Sequence, residues 1–354
     1  MARLRRFMRK LFGLRADKKP GRVERPGEDI VFEHLWRTAA GASAHGRRFS
    51  IHQPNVLLFQ MGKVASSALE VALIDRGINC FHCHSLRHQD EASRLSRMFQ
   101  AEPGFRLAAM DLKLLAKHTS LNMLTRWYRT NEVSPERKLK VITLTRDPFT
   151  WYVSQFLQRV GHDPQWLNDW HREFTNGKAE NGDVRAAAGA LLHHVGQLIV
   201  ESRPSIDLAA ARARGHALAL AMTPPQPYIA ENIRRALQPL AWFDEQFTPM
   251  FGVDIRALPE FAERGLAHRD LGFADLLIVR FEDLGRHMDA IGRFVGLPGL
   301  EIPPRNVTAA KPFAGQVLEA VRSFQATELG AAFQRELRHS DYGRACAYDR
   351  QAES

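Results

Sequence analysis

The sequence predicts a three-layer α/β domain with a mainly parallel central sheet and a helical insertion. Three observations carry that expectation. Short apolar runs of strand length alternate with helical patterns from residue 54 to about 160. The first of these runs breaks at a Gly-Lys pair and resumes with helical spacing, as a strand does when it feeds a helix through a tight loop. After an alanine- and leucine-rich stretch of helical character at about 160–240, a strand and a helix return at 274–297.

Each element has a local reason. "NVLLFQ" (55–60) is an apolar run of strand length, and "SSALEVALIDRG" (66–77) places Leu69, Ala72 and Leu73 on one helical face. Gly77 stands where a helix C-cap is expected. "INCFHCHSL" (78–86) reads as a second strand, whereas "EASRLSRMF" (91–99) and "LKLLAKHTSLNMLTRWY" (112–128) are helical or mixed. "LKVITLTRDP" (139–148) is the strongest strand, β-branched, apolar and stopped by Pro148. Helical spacing then runs through "DVRAAAGALLHHVGQLIVESR" (183–203), "IDLAAARARGHALALAM" (206–222) and "PYIAENIRRALQPL" (227–240), the last opening with Pro227 in its first turn. "ADLLIVRFEDL" (274–284) is a late strand and "GRHMDAIGRFVGL" (285–297) the helix after it. Residues 1–50 read as a basic arm and linker, and 51–354 as a single α/β domain carrying its helical insertion at about 160–240.

With 354 residues, 45% hydrophobic and 25% charged, the chain can bury a full core. Its net charge of +10 looks like a nucleic-acid signature until it is located. Residues 1–25 hold ten Lys/Arg against Asp17 and Glu24, a net +8 that leaves +2 for the other 329 residues. No nucleic-acid partner is expected of so nearly neutral a body. The arm lacks the apolar stretch of roughly 7–15 residues that marks a signal peptide, and nowhere do about 18 apolar residues run together. Leu4, Phe7, Met8, Leu11, Phe12 and Leu14 form an apolar face opposite the arginines, so the arm either lies on an anionic membrane surface or stays solvated. A cytoplasmic location, with peripheral contact at the inner face of the membrane through residues 1–25, is the expectation.

Three cysteines, Cys80, Cys83 and Cys346, make no disulfide framework. "CFHCH" (80–84) has the spacing of a haem attachment site, but covalent haem belongs with export, which nothing here signals. A zinc site would want a second cysteine pair downstream. A buried strand carrying two thiols is the simpler reading, and no metal is expected.

The loop "QMGKVASSAL" (60–69) carries the chemistry. In an open parallel sheet ligands bind beyond the carboxyl ends of the strands, and backbone N–H groups at a helix start suit an anion. Lys63 adds a point charge; Ser66 and Ser67 add hydroxyls. A nucleotide kinase is the first reading, but its motif G-x-x-x-x-G-K-[ST] requires glycine at 57 and a hydroxyl at 64, where this chain has Leu57 and Val64. Without that hydroxyl the metal of a bound triphosphate has no ligand. A second phosphate clue lies in "TRDPFTWYVSQF" (145–156). Arg146 ends the strongest strand and Ser154 follows eight residues later in the next helix, so fork and hydroxyl can grip a separate phosphate. Two such sites imply a nucleotide phosphorylated at both ends.

With these residues the chain resembles the sulfotransferases that use 3′-phosphoadenosine 5′-phosphosulfate, and the fold implied is P-loop-like. "LLIVRFEDL" followed by "AIGRFVGLP" looks like that superfamily's late strand-helix unit. "WFDEQFTPMFGVDI" (242–255) is similar to the sulfotransferase-like capsular polysaccharide synthesis proteins of bacteria. The likeness covers about 54–160 and 240–315. It implies that Gly62, Lys63, Val64, Ala65, Ser66 and Ser67 cradle the 5′-phosphosulfate while Arg146 and Ser154 hold the 3′-phosphate. Lys63 would also act catalytically, stabilising charge on the leaving phosphate. Arg305 and Lys311, in the turn-rich "PPRNVTAAKPF" (303–313), would belong to a basic loop closing over the nucleotide.

Sulfuryl transfer to a sugar hydroxyl also needs a group that takes the acceptor's proton. His84 and His82 are the candidates, sharing one face of the second strand while Cys83 faces the other; His88 and Glu245 are alternatives. Trp242 and Phe243 read as core, and Glu282 as a buried charge bracing it. The function implied is transfer of a sulfuryl group to a hydroxyl of a glycan or glycolipid. The alternative is a non-catalytic nucleotide-binding component of a polysaccharide synthesis or export assembly.

Overall fold

The computed structural model describes residues 55–86, 109–131, 138–162, 183–203, 208–221, 227–302 and 313–350, together with 135, 167, 170 and 171. The basic arm, "EASRLSRMF", His88, Arg305 and Lys311 lie outside the described residues.

The protein is α/β, with a five-stranded, mostly parallel sheet ordered β2-β1-β3-β5-β4. The strands are β1 (Asn55–Phe59), β2 (Asn79–Cys83), β3 (Leu139–Thr145), β4 (Leu266–Asp270) and β5 (Ala274–Arg280). The first helices are α1 (Ser66–Asp75), α2 (Ala109–Thr130), α3 (Pro148–His162), α4 (Val184–Ser202), α5 (Leu208–Ala221) and α6 (Pro227–Ala236). Then come α7 (Gln238–Trp242), a π turn at Phe243–Phe247, α8 (Thr248–Phe251) and α9 (Pro259–Arg264). The chain closes with α10 (Met288–Val295), α11 (Ala314–Gln325), α12 (Glu328–Arg338) and α13 (Asp341–Ala345).

The described chain divides into two compact units. One comprises Met1–Phe59, Leu73–Ile142 and Arg269–Leu276; the other comprises Gln60–Ala72, Thr143–His268 and Leu277–Ser354. In the first, β1 pairs in parallel with β2 from Asn55↔Asn79 to Phe59↔Cys83, and with β3 from Val56↔Lys140 to Leu58↔Ile142. Val56, Leu57, Leu58 and Phe59 are all buried, as a strand covered on both faces requires. The Asn79 amide donates to Asn55 Oδ1 at 2.9 Å, closing the start of the β1–β2 pair. Lys138 and Asp270 form an ion pair at 2.7 Å.

β4 does not stand out in the sequence as a strand, because "LAHRD" has one buried side chain, Ala267. It owes its place to a hairpin. Leu271 N–H donates to the Ala274 carbonyl and Arg280 N–H to the Gly265 carbonyl, an antiparallel pairing joined through Gly272 at φ 78°. The Asp270 carboxylate accepts from the Gly272 N–H at 2.8 Å and fixes the turn.

The second unit is mostly helical. α4 packs against both α11 and α12. Gly196 permits that approach, since a Cβ there would lie 2.6 Å from Phe324 Cζ. Phe149 and Tyr152 on α3 meet Phe333 edge-on at centroid distances of 5.8 and 5.9 Å. Trp242, Phe243, Phe247 and Phe251 run as successive ring contacts through the π turn. Trp242 and Phe243 are therefore core, as expected.

Candidate functional site

The loop at residues 60–65 has an unusual backbone. Gly62 (φ 83°), Lys63 (φ 55°) and Ala65 (φ 60°) all lie in the left-handed region. Glycine enters it without penalty, but for lysine and alanine a Cβ meets the following carbonyl at a cost of about 1–2 kcal/mol each. Such conformations persist where the surroundings impose them. In turns of this kind successive peptide N–H groups form a concavity suited to an anion. Ala65 O accepts from the N–H groups of Ala68 and Leu69, so the N–H groups of Ser66 and Ser67 lie ahead of the helical ladder. Val64 is fully buried and Ser66 nearly so, whereas Ser67 is exposed and Lys63 and Ala65 are half-buried. Val64 can thus meet a ligand only through its backbone, while Lys63 and Ser67 can offer side chains.

Two side chains from the β3–α3 junction hold this loop. Arg146 Nη1 donates to the Lys63 carbonyl at 2.5 Å. Trp151 Nε1 donates to the Gly62 carbonyl at 2.9 Å. These bonds take up two adjacent carbonyl oxygens and leave their peptide N–H groups facing the other way, which is what an anion requires. The sequence supports the junction locally. Asp147 is the N-cap of α3, accepting from the Thr150 N–H at 2.8 Å, and Pro148 takes the first helical position.

Arg146 itself is held on three sides. Its Nε donates to Thr150 Oγ1 at 3.3 Å, its guanidinium lies over the Phe281 ring at 4.6 Å from the centroid, and Nη1 is on Lys63. Burial lowers its pKa, opposed by the carboxylates of Glu282 and Asp147, so the charge is kept at any ordinary pH. Among the described residues Nη2 has no hydrogen-bond partner. Thr150 and Ser154 are one turn apart on α3, and Arg146 touches Thr150, so Arg146, Thr150 and Ser154 form a row along one helix face. Ser154 is half-buried, leaving its hydroxyl accessible.

The C-terminal segment braces this junction from behind. Tyr342 OH accepts from the Arg146 N–H at 3.0 Å and donates to the Arg146 carbonyl at 2.9 Å. Glu282 Oε1 accepts from the Asp147 N–H and Oε2 from Tyr348 OH, both at 2.9 Å. Tyr348 OH also meets Thr145 Oγ1 at 3.0 Å. Arg338 Nε pairs with Asp147 Oδ2 at 2.6 Å, the Asp147 side chain being 3% exposed. Glu282 is exposed rather than the buried charge the sequence suggests; desolvation of its carboxylate by neighbouring atoms raises its pKa, against hydrogen bonds from the Asp147 N–H and Tyr348 OH that favour its ionised form. Among the described residues Glu282 makes no ion-pair contact and is held by hydrogen bonds, with the Arg146 charge near enough to act on it. Asp147 pairs with Arg338, not with its neighbour Arg146.

Gly62, Lys63, Val64, Ala65, Ser66, Ser67, Arg146 and Ser154 all belong to one unit, with direct contacts joining Arg146 to Lys63 and Trp151 to Gly62. His82 and His84 belong to the other. Their rings meet edge-on at 4.4 Å, with His82 at the end of β2 and the exposed His84 just beyond it, as strand alternation expects. Cys80 and Cys83 are buried free thiols whose positions on β2 point to opposite faces. Among the described residues no three His, Cys, Asp or Glu side chains gather as a metal site. Glu245, on the π turn, is ion-paired with Arg212. No described helix is long and apolar enough to cross a membrane.

Trp151, Thr150, Arg338, Tyr342 and Tyr348 are absent from the sequence-based site. Thr150 had a signal, standing midway between Arg146 and Ser154 at helical spacing. Tyr342 and Tyr348 had none, since they reach Arg146 and Glu282 from 196 and 66 residues away. Compared with family models, curated proteins and solved structures, the chain matches none.

Proposed function

We propose that this protein is a sulfotransferase with a P-loop-like three-layer fold, moving a sulfuryl group from 3′-phosphoadenosine 5′-phosphosulfate to a hydroxyl of a glycan or glycolipid. The observation that carries the reading is the cross-braced loop: three left-handed residues ahead of a ten-residue helix, tied through Lys63 and Gly62 carbonyls to Arg146 and Trp151. That loop cradles the 5′-phosphosulfate with the N–H groups of residues 62–67 and the hydroxyl of Ser67. Arg146 Nη2 and Ser154 Oγ grip the 3′-phosphate.

The reaction is an in-line displacement. The acceptor hydroxyl oxygen bonds to sulfur as the bond from sulfur to the 5′-phosphate oxygen breaks, and 3′-phosphoadenosine 5′-phosphate leaves. Lys63 stabilises the charge that builds on the bridging oxygen, an electrostatic role worth most where water is excluded. The hydroxyl proton passes to a base, for which His84 is the first candidate and His82 the second. No resident metal is needed, because a fixed lysine and aligned peptide dipoles supply the positive charge. Incubating purified protein with ³⁵S-labelled donor and cell-envelope glycans tests the reading. Label incorporated into a glycan and lost in Lys63→Ala is expected; donor binding without incorporation into any glycan would favour the non-catalytic alternative.

A further inference from the structure

A cavity of about 800 Å³ lies among α5, α6 and the segment from α7 into the π turn. Its size is that of a pocket for a small organic ligand. Arg212, His216 and Arg234 line it together with Asp244, Glu245 and Asp341, so with His216 neutral its formal charge is −1. The carboxylates are already matched. Glu245 pairs with Arg212, Asp244 with Arg256 at 2.7 Å, and Asp341 with Arg344. Arg234 is held by Glu231 at 2.8 Å. An anionic ligand would bring its charge against three carboxylates, and a cationic one against two guanidinium groups. A neutral ligand meets neither repulsion and can still use the lone pairs and N–H groups that the ion pairs leave over.

Those groups are strong hydrogen-bonding partners because they are charged. Arg212 in particular has its Nε–H buried with no acceptor in the described structure, a donor that costs stability until something accepts from it. Between the charged groups the wall is Ala209, Ala213, Ala230 and Ala241. Small apolar steps beside a charged rim fit a ring that shows C–H on its faces and hydroxyls on its edge.

The cavity also shares elements with the loop's support. Asp341 lines it, and its neighbour Tyr342 is the residue bonded to both backbone groups of Arg146. Asp244 lines it, and its neighbour Phe243 stacks on Tyr342 at 5.9 Å between centroids.

We infer that this cavity binds a neutral, hydroxyl-rich ligand of the saccharide class, at a site separate from the loop. This claim does not rest on the function proposed above. The test is calorimetric titration of the full-length protein with cellobiose and N-acetylglucosamine as neutral probes, and glucuronate and glucosamine as charged ones. Ala213→Trp, at an exposed α5 position, fills the cavity without disturbing the core. A neutral probe is expected to bind wild type at least about tenfold more tightly than either charged probe, and Ala213→Trp to lose that binding with an unchanged unfolding midpoint. Lys63→Ala should leave saccharide binding intact. Binding of no neutral probe, preference for a charged one, or equal binding by Ala213→Trp would each overturn the inference. Binding of 3′-phosphoadenosine 5′-phosphate, measured on the same samples, reports on the proposed function separately: its absence would count against that function and leave the saccharide site standing.

Discussion

The hydroxyl of Tyr342 closes a ring with the backbone of Arg146, accepting from its N–H and donating to its carbonyl. One phenol thereby fixes the point where β3 ends and the arginine leaves the strand. Tyr342 is buried, and burial pushes its own pKa well up, so the hydroxyl keeps the proton it donates. Tyr342→Phe keeps the ring stacked on Phe243 but strands both Arg146 backbone groups. A loss of about 1–3 kcal/mol is expected, read from the urea midpoint at constant slope. A midpoint equal to wild type would mean that water replaces the phenol.

Backbone strain in the loop makes a second prediction. Ala65 sits at φ 60°, where a Cβ is unfavourable and a β-branched one more so. Ala65→Gly should preserve or raise stability by up to about 1 kcal/mol, and Ala65→Val should lower it by about 1–2 kcal/mol. Equal midpoints for the two variants would show that the loop does not hold this conformation.

Asp147 and Arg338 give a third. The carboxylate is almost wholly buried, caps α3 through one oxygen and meets Arg338 through the other. Arg338→Met leaves an unpaired buried charge and should cost about 3 kcal/mol. Asp147→Asn, which keeps a cap oxygen, should cost less. The two unfolding midpoints, compared at one pH, give the order; the reverse order would place the burden on the cap rather than on the ion pair.

Glu282 sets a pH dependence with a definite sign. Desolvation by its neighbours raises its folded pKa above the unfolded value near 4.5, an effect that solvent screening keeps small at so exposed a side chain, so between those two pKa values the folded protein binds more protons than the unfolded one. Glu282's contribution to stability is then fully present below the unfolded pKa and is lost as pH rises through the folded one. Urea midpoints of wild type and Glu282→Gln, followed upward from about pH 4, should converge on different slopes: the wild type falls relative to the variant. A wild type that gains on the variant instead would mean that the hydrogen bonds from Asp147 and Tyr348 outweigh desolvation.

Much of this architecture was legible in the sequence because it is local. β1, β2, β3 and β5 are apolar runs bounded by Gly, Pro or charge, and α1, α4, α5 and α6 carry their own periodicity. The loop was legible for the same reason: Gly62 and Lys63 interrupt a strand just before a helix. β4 was not, because its pairing comes from the hairpin through Gly272 and not from apolar side chains of its own. Nor was the use of Arg146 to hold the Lys63 carbonyl. Arg146 reads the same in sequence whether its guanidinium faces a ligand or a neighbouring loop, and here the two roles share one side chain. The C-terminal brace was invisible, since Arg338, Tyr342 and Tyr348 meet the strand ends only through tertiary contacts.

The central claim is that the loop and Arg146 together hold a nucleotide phosphorylated at both ends. Calorimetric titration with 3′-phosphoadenosine 5′-phosphate, without magnesium, tests it most directly. Wild type should bind, with Lys63→Ala and Ser154→Ala each weakened by about tenfold, or about 1.4 kcal/mol, and magnesium-ATP should compete poorly because Val64 provides no metal-binding hydroxyl. A folded wild type that binds no such nucleotide, or a Lys63→Ala variant that binds it as well as wild type does, would contradict the claim.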